Sequence, residues 1–279
     1  LSSSEPSSTG TVTGDIVLKG SGDPFLDDAG LVELARKLRA KGVRAITGGV
    51  IGDGSAFTDA GYGDGWAWDD MTFYYSAPVS GLALNSNVIR IRALPGPKVG
   101  APARIVVTPT ELYSEVRSKV TTAARGVRPR ISVFRHLGMD VVEVTGHVAV
   151  GTSPDAAPVV PVTVENPPLF AAMRLTHALR SMGISVQRDA RAGSAGRSHR
   201  KVLAVHESAP LSDIIARVNK PSDNLGAECL LRAVGLIKSG SGSVATGRKA
   251  AFDWFASIGM DTGSLIMVDG SGLSRQDYV

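Results

Sequence analysis

The spacing of apolar residues along the chain predicts a mixed α/β protein built from many short elements. Apolar positions recur every three to four residues where a helix is indicated. They alternate with polar positions, or form short runs, where a strand is indicated. Strands are predicted at 11–18, 45–51, 87–93, 103–107, 130–137, 141–150, 159–164 and 201–206. Helices are predicted at 27–41, 109–120, 167–182, 211–218, 224–237 and 245–258.

Local end signals support two of these helices. Asn166 is expected to cap the helix that begins at Pro167, because its side chain can accept a hydrogen bond from the first turn. Gly183 is expected to end that helix, since glycine readily adopts the left-handed conformation of a helix C-terminus. Thr108 and Pro109 are expected to start the second predicted helix, with proline in its first position.

The chain is long enough for two or three structural units. It has 279 residues, of which 43% are hydrophobic, and this is too long for one small domain. Residues 1–10 form a serine-rich polar lead-in. The segment 52–86 is rich in Gly, Asp and aromatic residues without clear periodicity, and it predicts a long ordered loop. A proline and glycine cluster at 95–102 indicates the crossing into a smaller, strand-rich unit.

The triplet Ser222-Asp223-Asn224 stands directly before an apolar helix. On this helix Asn224, Glu228 and Arg232 recur every four residues and form one narrow polar stripe, so the helix is expected to be buried on most of its circumference. A buried helix with hydroxyl and amide groups at its N-terminus is a suitable place for chemistry. The simpler alternative is that Ser222 is an N-cap and Asn224 a first-turn residue.

A second motif, Asp-Gly-Ser-Gly-Leu-Ser-Arg at 269–275, follows the triplet. In this order the two motifs resemble the class C low-molecular-mass penicillin-binding proteins, which are D-alanyl-D-alanine carboxypeptidases and endopeptidases of bacterial cell-wall metabolism. Three further segments are similar to the same family: Gly-Ser-Gly-Asp-Pro at 20–24, Gly-Trp-Ala-Trp-Asp-Asp-Met at 65–71, and Ser-Ala-Pro at 76–78 followed by Asn85. The resemblance therefore covers nearly the whole chain.

The resemblance implies a fold and a domain organisation. The fold class is α/β (α+β), with part of a serine transpeptidase-like or β-lactamase-like domain, an antiparallel sheet between helices, interrupted by two inserted domains. Residues 207–279 would belong to this catalytic domain. Residues 11–94 and 141–206 would form the larger insert, and residues 95–140 the smaller one.

The resemblance also implies an activity and its residues. A serine would attack the carbonyl between two terminal D-alanines of a peptidoglycan stem peptide, and water would hydrolyse the acyl-enzyme. Ser222 would pass a proton toward the leaving amine, and Asn224 would donate its amide to the substrate. Asp70 and Tyr75 would receive the amino group at the end of the stem peptide's diamino acid. β-Lactam antibiotics would bind the same cleft, and the protein would be extracytoplasmic.

The chain departs from the family pattern in two motifs, S-x-x-K and K-T-G. Its one S-x-x-K, at 198–201, lies in a glycine-rich loop, and the similar Lys-Ser-Gly at 238–240 ends a helix. Family order places the missing motifs upstream of Leu1 and downstream of Val279, so the chain by itself is expected to lack a nucleophile and to be inactive. The alternative is a non-catalytic peptidoglycan-binding or scaffold protein of the same fold.

Composition and charge favour no other partner. The net charge is +4 and the sequence pI about 9.3, but the basic run at 188–201 is interleaved with Gly and Ser and has no aromatic residues, so nucleic-acid binding is not predicted. No apolar run is long enough to span a membrane. The five histidines lack partners at ligand spacing, and the one cysteine, Cys229, lies among apolar residues. No metal or cofactor is predicted.

Overall fold

The computed structural model describes residues 1–59, 61–109, 114–194, 196 and 201–278, and these form a mixed α/β protein as predicted. The strands are β1 Thr11–Val12, β2 Ile16–Lys19, β3 Ala45–Ile46, β4 Val50–Asp53, β5 Val88–Leu94, β6 Arg104–Thr108, β7 Glu115–Ala123, β8 Arg130–Arg135, β9 Val141–Ala149, β10 Val159–Thr163, β11 Ser185–Val186 and β12 Arg191–Ala192. The helices are α1 Asp28–Ala40, α2 Pro167–Ser181, α3 Leu211–Asn219, α4 Asn224–Ser239 and α5 Val244–Ser257.

The chain forms two compact units. Unit 1 comprises Leu1–Ala67, Pro78–Ser86 and Asn166–Val279, and unit 2 comprises Trp68–Ala77 and Asn87–Glu165. The segment 95–140 thus shares a compact unit with residues on both sides of it. The insert boundaries that the sequence indicated stay a prediction about the domain organisation of the family.

Unit 1 contains two small parallel sheets and the five α-helices found in the described part of the chain. One sheet has the order β1-β3-β11 and the other the order β12-β4-β2. Helix α2 packs against β4 and against α1, and its apolar face is buried, including Phe170 and Leu179. The caps of both helices are formed by side chains: Asp27 accepts a hydrogen bond from Gly30 N, and Asn166 accepts one from Leu169 N. The predicted Asn166 cap is confirmed.

Helices α4 and α5 pack closely where two glycines remove the side chains between them. A Cβ atom on Gly247 would collide with the carbonyl oxygen of Leu231, and one on Gly235 would collide with Thr246. The absence of a side chain lets the two backbones approach. Gly240 ends α4 in the left-handed conformation, with φ 77°.

Unit 2 is built on two three-stranded sheets. The order β10-β5-β6 is fully antiparallel, whereas in β7-β9-β8 the pair β7·β9 is parallel and the pair β8·β9 antiparallel. The segment Trp68–Ala77, which belongs to the predicted long loop, contains only a single 3-10 turn at Tyr74–Ser76. This segment is called the aromatic loop below.

Two predicted elements are wrong. Residues 115–120 of the predicted helix 109–120 lie in β7, which pairs with β9 over nine residues from Glu115↔Val141 to Ala123↔Ala149. Residues 110–113 fall outside the described part. Alternating β-branched residues such as Val116 and Val120 suit a pleated sheet, and they override the helix-start signal at Pro109. The predicted strand 201–206 is also wrong, since within the described ranges it forms a single bridge, from Lys201 to Ser2.

Glycines shorten two other predicted strands. The pattern 11–18 forms β1 and β2 with a break at Gly14, which has φ 86°. The pattern 45–51 forms β3 and β4 with a break at Gly48 and Gly49, where a Cβ atom would collide with neighbouring backbone. Across the described residues, none of the helices combines the length and the apolar character that a membrane span requires.

Candidate active site

The Ser222 turn connects α3 to α4 in unit 1. Ser222 is exposed and adopts the left-handed conformation with φ 60°. Few non-glycine residues adopt this conformation, and those that do are often found at functional sites. The backbone N–H of Asp223 donates to Val218 O at 2.9 Å, which ties the turn to the end of α3.

The N-cap of α4 is Asp223. Its Oδ1 accepts a hydrogen bond of 2.6 Å from Gly226 N, and Asn224 is the first residue of the helix. The alternative interpretation of Ser222 as the cap is therefore wrong, while Asn224 does lie in the first turn. Asn224 is half-buried. The capping requirement of α4 is met without the Ser222 hydroxyl.

The polar stripe of α4 is its most buried side. Glu228 is 0% exposed and Arg232 is 1% exposed, whereas Val234 and Ile237 on the same helix are 41% and 81% exposed. The expectation that apolar residues cover the buried circumference is thus wrong for the second half of the helix. A buried charge of this kind must find charged or hydrogen-bonded partners, because desolvation is costly.

For Arg232 these partners come from α4 itself and from the loop that contains Asp59. Arg232 Nη1 donates to Glu228 Oε2 at 2.7 Å, and Arg232 Nε donates to Asp59 Oδ1 at 2.8 Å. Asp59 Oδ2 accepts from Val244 N, the first residue of α5, at 2.7 Å. Burial acts to lower the pKa of Arg232, but the hydrogen bonds to Asp59 and Glu228 outweigh it and raise that pKa. The guanidinium therefore stays charged. Arg232 connects α4 to the loop that contains Asp59, and Asp59 connects that loop to the start of α5.

Glu228 also holds the 269–275 loop in place. Its Oε1 accepts hydrogen bonds from Gly270 N at 2.8 Å and Ser271 N at 2.9 Å. One carboxylate therefore joins the helix of the Ser222 turn to the second family motif. Since the same side chain is fixed by Arg232, the loop has little freedom to shift relative to α4.

Asp269 organises this loop from within. Its Oδ1 accepts from Gly272 N at 2.7 Å, and its Oδ2 accepts from Ser274 N at 2.7 Å and from the indole Nε1 of Trp66 at 2.8 Å. Burial acts to raise the pKa of Asp269, but the bonds from Trp66, Gly272 and Ser274 lower it overall. Trp66 itself is buried, so the indole bond anchors the start of the predicted Gly-Trp-Ala-Trp segment to the loop.

Asp277 lies next to this carboxylate. Its Oδ1 accepts from Val268 N, whereas its buried Oδ2 has no hydrogen-bond partner among the described residues. Burial and the charge of Asp269 raise the pKa of Asp277. The pKa values of the two neighbouring acids are thus shifted in opposite directions, downward for Asp269 and upward for Asp277.

The second pair of predicted site residues lies in unit 2, in the aromatic loop. Tyr75 Oη donates to Asp70 Oδ1 at 2.7 Å, so the two residues named from the sequence are in direct contact. Burial and this hydrogen bond raise the pKa of Tyr75 to about 12, so the phenol stays protonated at neutral pH.

Two aromatic rings pack against Tyr75, the hydrogen-bond partner of Asp70. Phe73 stacks on Tyr75 at 5.7 Å between ring centroids with an interplanar angle of 15°, and Tyr74 meets Tyr75 edge-on at 5.6 Å. Trp68 and Tyr74 are 68% and 61% exposed. A half-buried carboxylate among aromatic faces is an environment that attracts a cation.

Sequence reasoning named four site residues, and the structure adds supporting residues that it did not assign. Glu228 and Arg232 were recognised only as a stripe, although an acid and an arginine four residues apart on an apolar helix signal a buried pair. Asp59 carries no such local signal, because its partners Arg232 and Val244 are distant in sequence. Asp269 was recognised only as the first residue of the second motif, since its bond from Trp66 spans 203 residues. Ser198 of the S-x-x-K string lies outside the described residues.

Comparisons with known proteins give one consistent result. The family model described as D-Ala-D-Ala carboxypeptidase 3 (S13) matches residues 3–279. The chain is 32% identical over 274 residues to "D-alanyl-D-alanine carboxypeptidase" of Actinomadura sp. (strain R39), covering 95% of this chain and 50% of that protein. It is 28% identical over 273 residues to "D-alanyl-D-alanine carboxypeptidase DacB" of Haemophilus influenzae, covering 97% and 56%.

The fold is similar to a solved structure of the same kind. "Penicillin binding protein 4 (dacB)" from Haemophilus influenzae matches with a TM-score of 0.82 and 27% sequence identity, over 97% of this chain and 59% of that one. The chain thus spans little more than half the length of the relatives it matches.

Proposed function

Because the chain belongs to the D-Ala-D-Ala carboxypeptidase 3 (S13) family, we propose that it forms part of a serine-type D-alanyl-D-alanine carboxypeptidase or endopeptidase that acts on peptidoglycan stem peptides. The observation that carries the proposal is the Ser222 turn. Ser222 is exposed at the entrance to α4, the cap of that helix is Asp223, and Glu228 ties the helix to the second family motif.

In the proposed reaction a nucleophilic serine outside Leu1–Val279 attacks the carbonyl carbon of the penultimate D-alanine. The peptide C–N bond then breaks, and the Ser222 hydroxyl relays the proton that the attacking serine loses to the departing amine of the terminal D-alanine. Water hydrolyses the resulting ester and frees the serine. Asn224 donates its side-chain amide to the substrate's peptide carbonyl and so orients it. Penicillins acylate the same serine in this proposal.

Asp70 and Tyr75 supply the proposed recognition of the substrate's side chain. The Asp70 carboxylate accepts a hydrogen bond from Tyr75, and its remaining lone pairs suit an ammonium group. The stacked rings of Phe73 and Tyr75 add a cation-π contribution. The proposed ligand is the free amine of the diamino acid in the stem peptide. A substrate in the cell wall also implies that the protein acts outside the cytoplasm.

The experiment compares three variants of the complete protein with a fluorescent penicillin and a D-Ala-D-Ala peptide. Ser222→Ala and Asn224→Ala are expected to slow acylation by the peptide about a hundredfold, because a proton-relaying hydroxyl or a directed amide is lost. Asp223→Ala is the matched control. It removes the cap and is expected to cost about 1 kcal/mol of stability while acylation stays near the parental rate.

The outcomes separate catalysis from structure. If Ser222→Ala acylates at close to the parental rate, the proposed role of the turn is wrong. If the complete protein binds peptidoglycan but is never acylated, the alternative of a non-catalytic peptidoglycan-binding or scaffold protein takes its place.

A further inference from the structure

Arg135 is a buried cation that the proposed chemistry does not use. It is the last residue of β8 in unit 2, and it is 1% exposed. Its Nη1 forms an ion pair with Glu165, which is 25% exposed, and its Nε donates to Thr163 Oγ1 at 3.0 Å. A buried charge is seldom retained for stability, because a well-packed apolar side chain of similar size is often as stabilising.

The other contacts of Arg135 lead to the aromatic loop. Arg135 Nη2 donates to Met71 O at 3.0 Å, and its backbone N–H donates to Thr72 Oγ1 at 3.1 Å. Thr163 Oγ1 donates to the same Met71 carbonyl at 2.6 Å. Met71 and Thr72 directly follow Asp70 in the chain, so the segment after the proposed ammonium-binding carboxylate is held by three donors, two on the Met71 carbonyl and one on the Thr72 hydroxyl.

Ser76, at the opposite end of the aromatic loop, also contacts Asp70. Ser76 Oγ donates to Asp70 O and also to Phe73 O, the latter at 3.0 Å, and Ser76 is fully buried. Tyr75, the neighbour of Ser76, holds the Asp70 side chain. Ser76 thus holds the carbonyl of Asp70 itself, and Arg135 holds the carbonyl of the next residue, Met71.

The guanidinium suits this task because its donors form a rigid planar fork. In Arg135 the fork addresses three acceptors at fixed angles: the carbonyl of the loop, the hydroxyl of β10 and the Glu165 carboxylate. Glu165 Oε1 also accepts from Gly138 N at 3.1 Å, which fixes the carboxylate that orients the fork. Lysine can satisfy charge at this site, but it cannot reproduce the fork.

We propose that Arg135, oriented by Glu165, is a positioning residue that sets Asp70 for substrates bearing a free side-chain amine. The inference rests on the proposed function. It adds that Arg135 and Glu165 determine how strongly the Asp70 site prefers substrates with a free side-chain amine over substrates without one. Selectivity for the amine comes from an arginine that never touches the substrate, since a recognition group must be held within a fraction of an ångström to discriminate well.

The test measures KM and kcat of the complete protein on two peptides that end in D-Ala-D-Ala. One peptide carries a free side-chain amine and the other carries the same amine acetylated. Arg135→Lys and Glu165→Gln are expected to raise KM for the free-amine peptide about tenfold, since a charge-assisted hydrogen bond is misaligned. Values for the acetylated peptide and the penicillin acylation rate are expected to stay within about twofold of the parent. Arg130→Lys, an exposed change on the same strand, is the matched control.

Four results would overturn the inference. The first is an equal loss on both peptides, which indicates a general structural role. The second is no loss on either peptide. The third is a loss on the free-amine peptide alone for Asp70→Asn, while Arg135→Lys and Glu165→Gln treat the two peptides as the parent does. That result supports the proposed amine site and removes only the role of Arg135. An Asp70→Asn variant without selective loss would instead overturn the amine site and the inference with it. If Arg135→Lys does not fold, Glu165→Gln decides alone.

Discussion

Replacing Arg232 by methionine tests whether the buried charges of α4 stabilise the protein as a unit. The change keeps an unbranched apolar side chain at this position and removes the guanidinium that joins Glu228 to Asp59. Glu228 is 0% exposed and would keep only the two backbone donors on its Oε1. Asp59 is 25% exposed and would regain water, so most of the effect is expected from Glu228.

The expected magnitude follows from this burial. Removing one partner of a buried ion pair typically costs about 3–5 kcal/mol, because an uncompensated charge remains. For a protein of this size that corresponds to a fall in Tm of roughly 6–20 °C. Lys249→Met is the control, since the Lys249–Asp253 pair has the same spacing on a helix but is exposed. Its expected cost is below about 0.5 kcal/mol.

Urea unfolding followed by tryptophan fluorescence measures both variants. Trp66 is buried against Asp269, whereas the other two tryptophans are 68% and 59% exposed, so the signal reports on this region. The double variant Glu228→Gln/Arg232→Met removes the stranded charge and is expected to recover part of the loss. If Arg232→Met costs no more than Lys249→Met, the buried network contributes little and the reasoning is refuted.

Three further predictions concern the chain itself. Residues 1–279 expressed alone are expected to show no covalent label after incubation with a fluorescent penicillin; a stable adduct by intact mass would contradict this. The pKa of Asp277 is raised in the folded protein, so ionisation of this group disfavours the fold. The stability of the fold therefore falls as pH rises above about 4, which is the pKa of an aspartate in the unfolded chain. Asp277→Asn is therefore expected to be more stable than the parent at pH 7, with a difference that shrinks toward pH 4, and a less stable variant at pH 7 would show the sign to be wrong. Gly247→Ala forces a Cβ into the Leu231 carbonyl and is expected to cost about 1–3 kcal/mol in thermal unfolding, so an unchanged Tm would show that α4 and α5 separate easily.

The helices could be predicted from the sequence because their signals are local. The Asn166 cap, the helix start at Pro167 and the turn before α4 all depend on residues within a few positions. The helix predicted after Pro109 failed because its start signal was local while the pairing of β7 with β9 is not. The strand predicted at 201–206 failed for the converse reason, since an apolar run forms no strand without a partner.

Within the candidate site, only the residues that lie in recognisable motifs could be predicted from the sequence. Ser222, Asn224, Asp70 and Tyr75 were found through resemblance, and their roles stay proposals. The residues that hold them could not be found in this way. Arg135 and its acceptor Met71 are separated by 64 residues, so nothing local indicates the contact.

The buried network around α4 also has a consequence for how the protein folds. The bond from Asp59 to Arg232 spans 173 residues and the bond from Asp59 to Val244 spans 185, whereas Glu228 and Arg232 are four residues apart. Contacts between such distant residues require large loops to close, which slows folding. Isolated helices can form early, but the network needs both chain ends of unit 1 in place. In pulse-labelling hydrogen exchange, the amides of Val244, Gly270 and Ser271 are therefore expected to gain protection among the last during refolding.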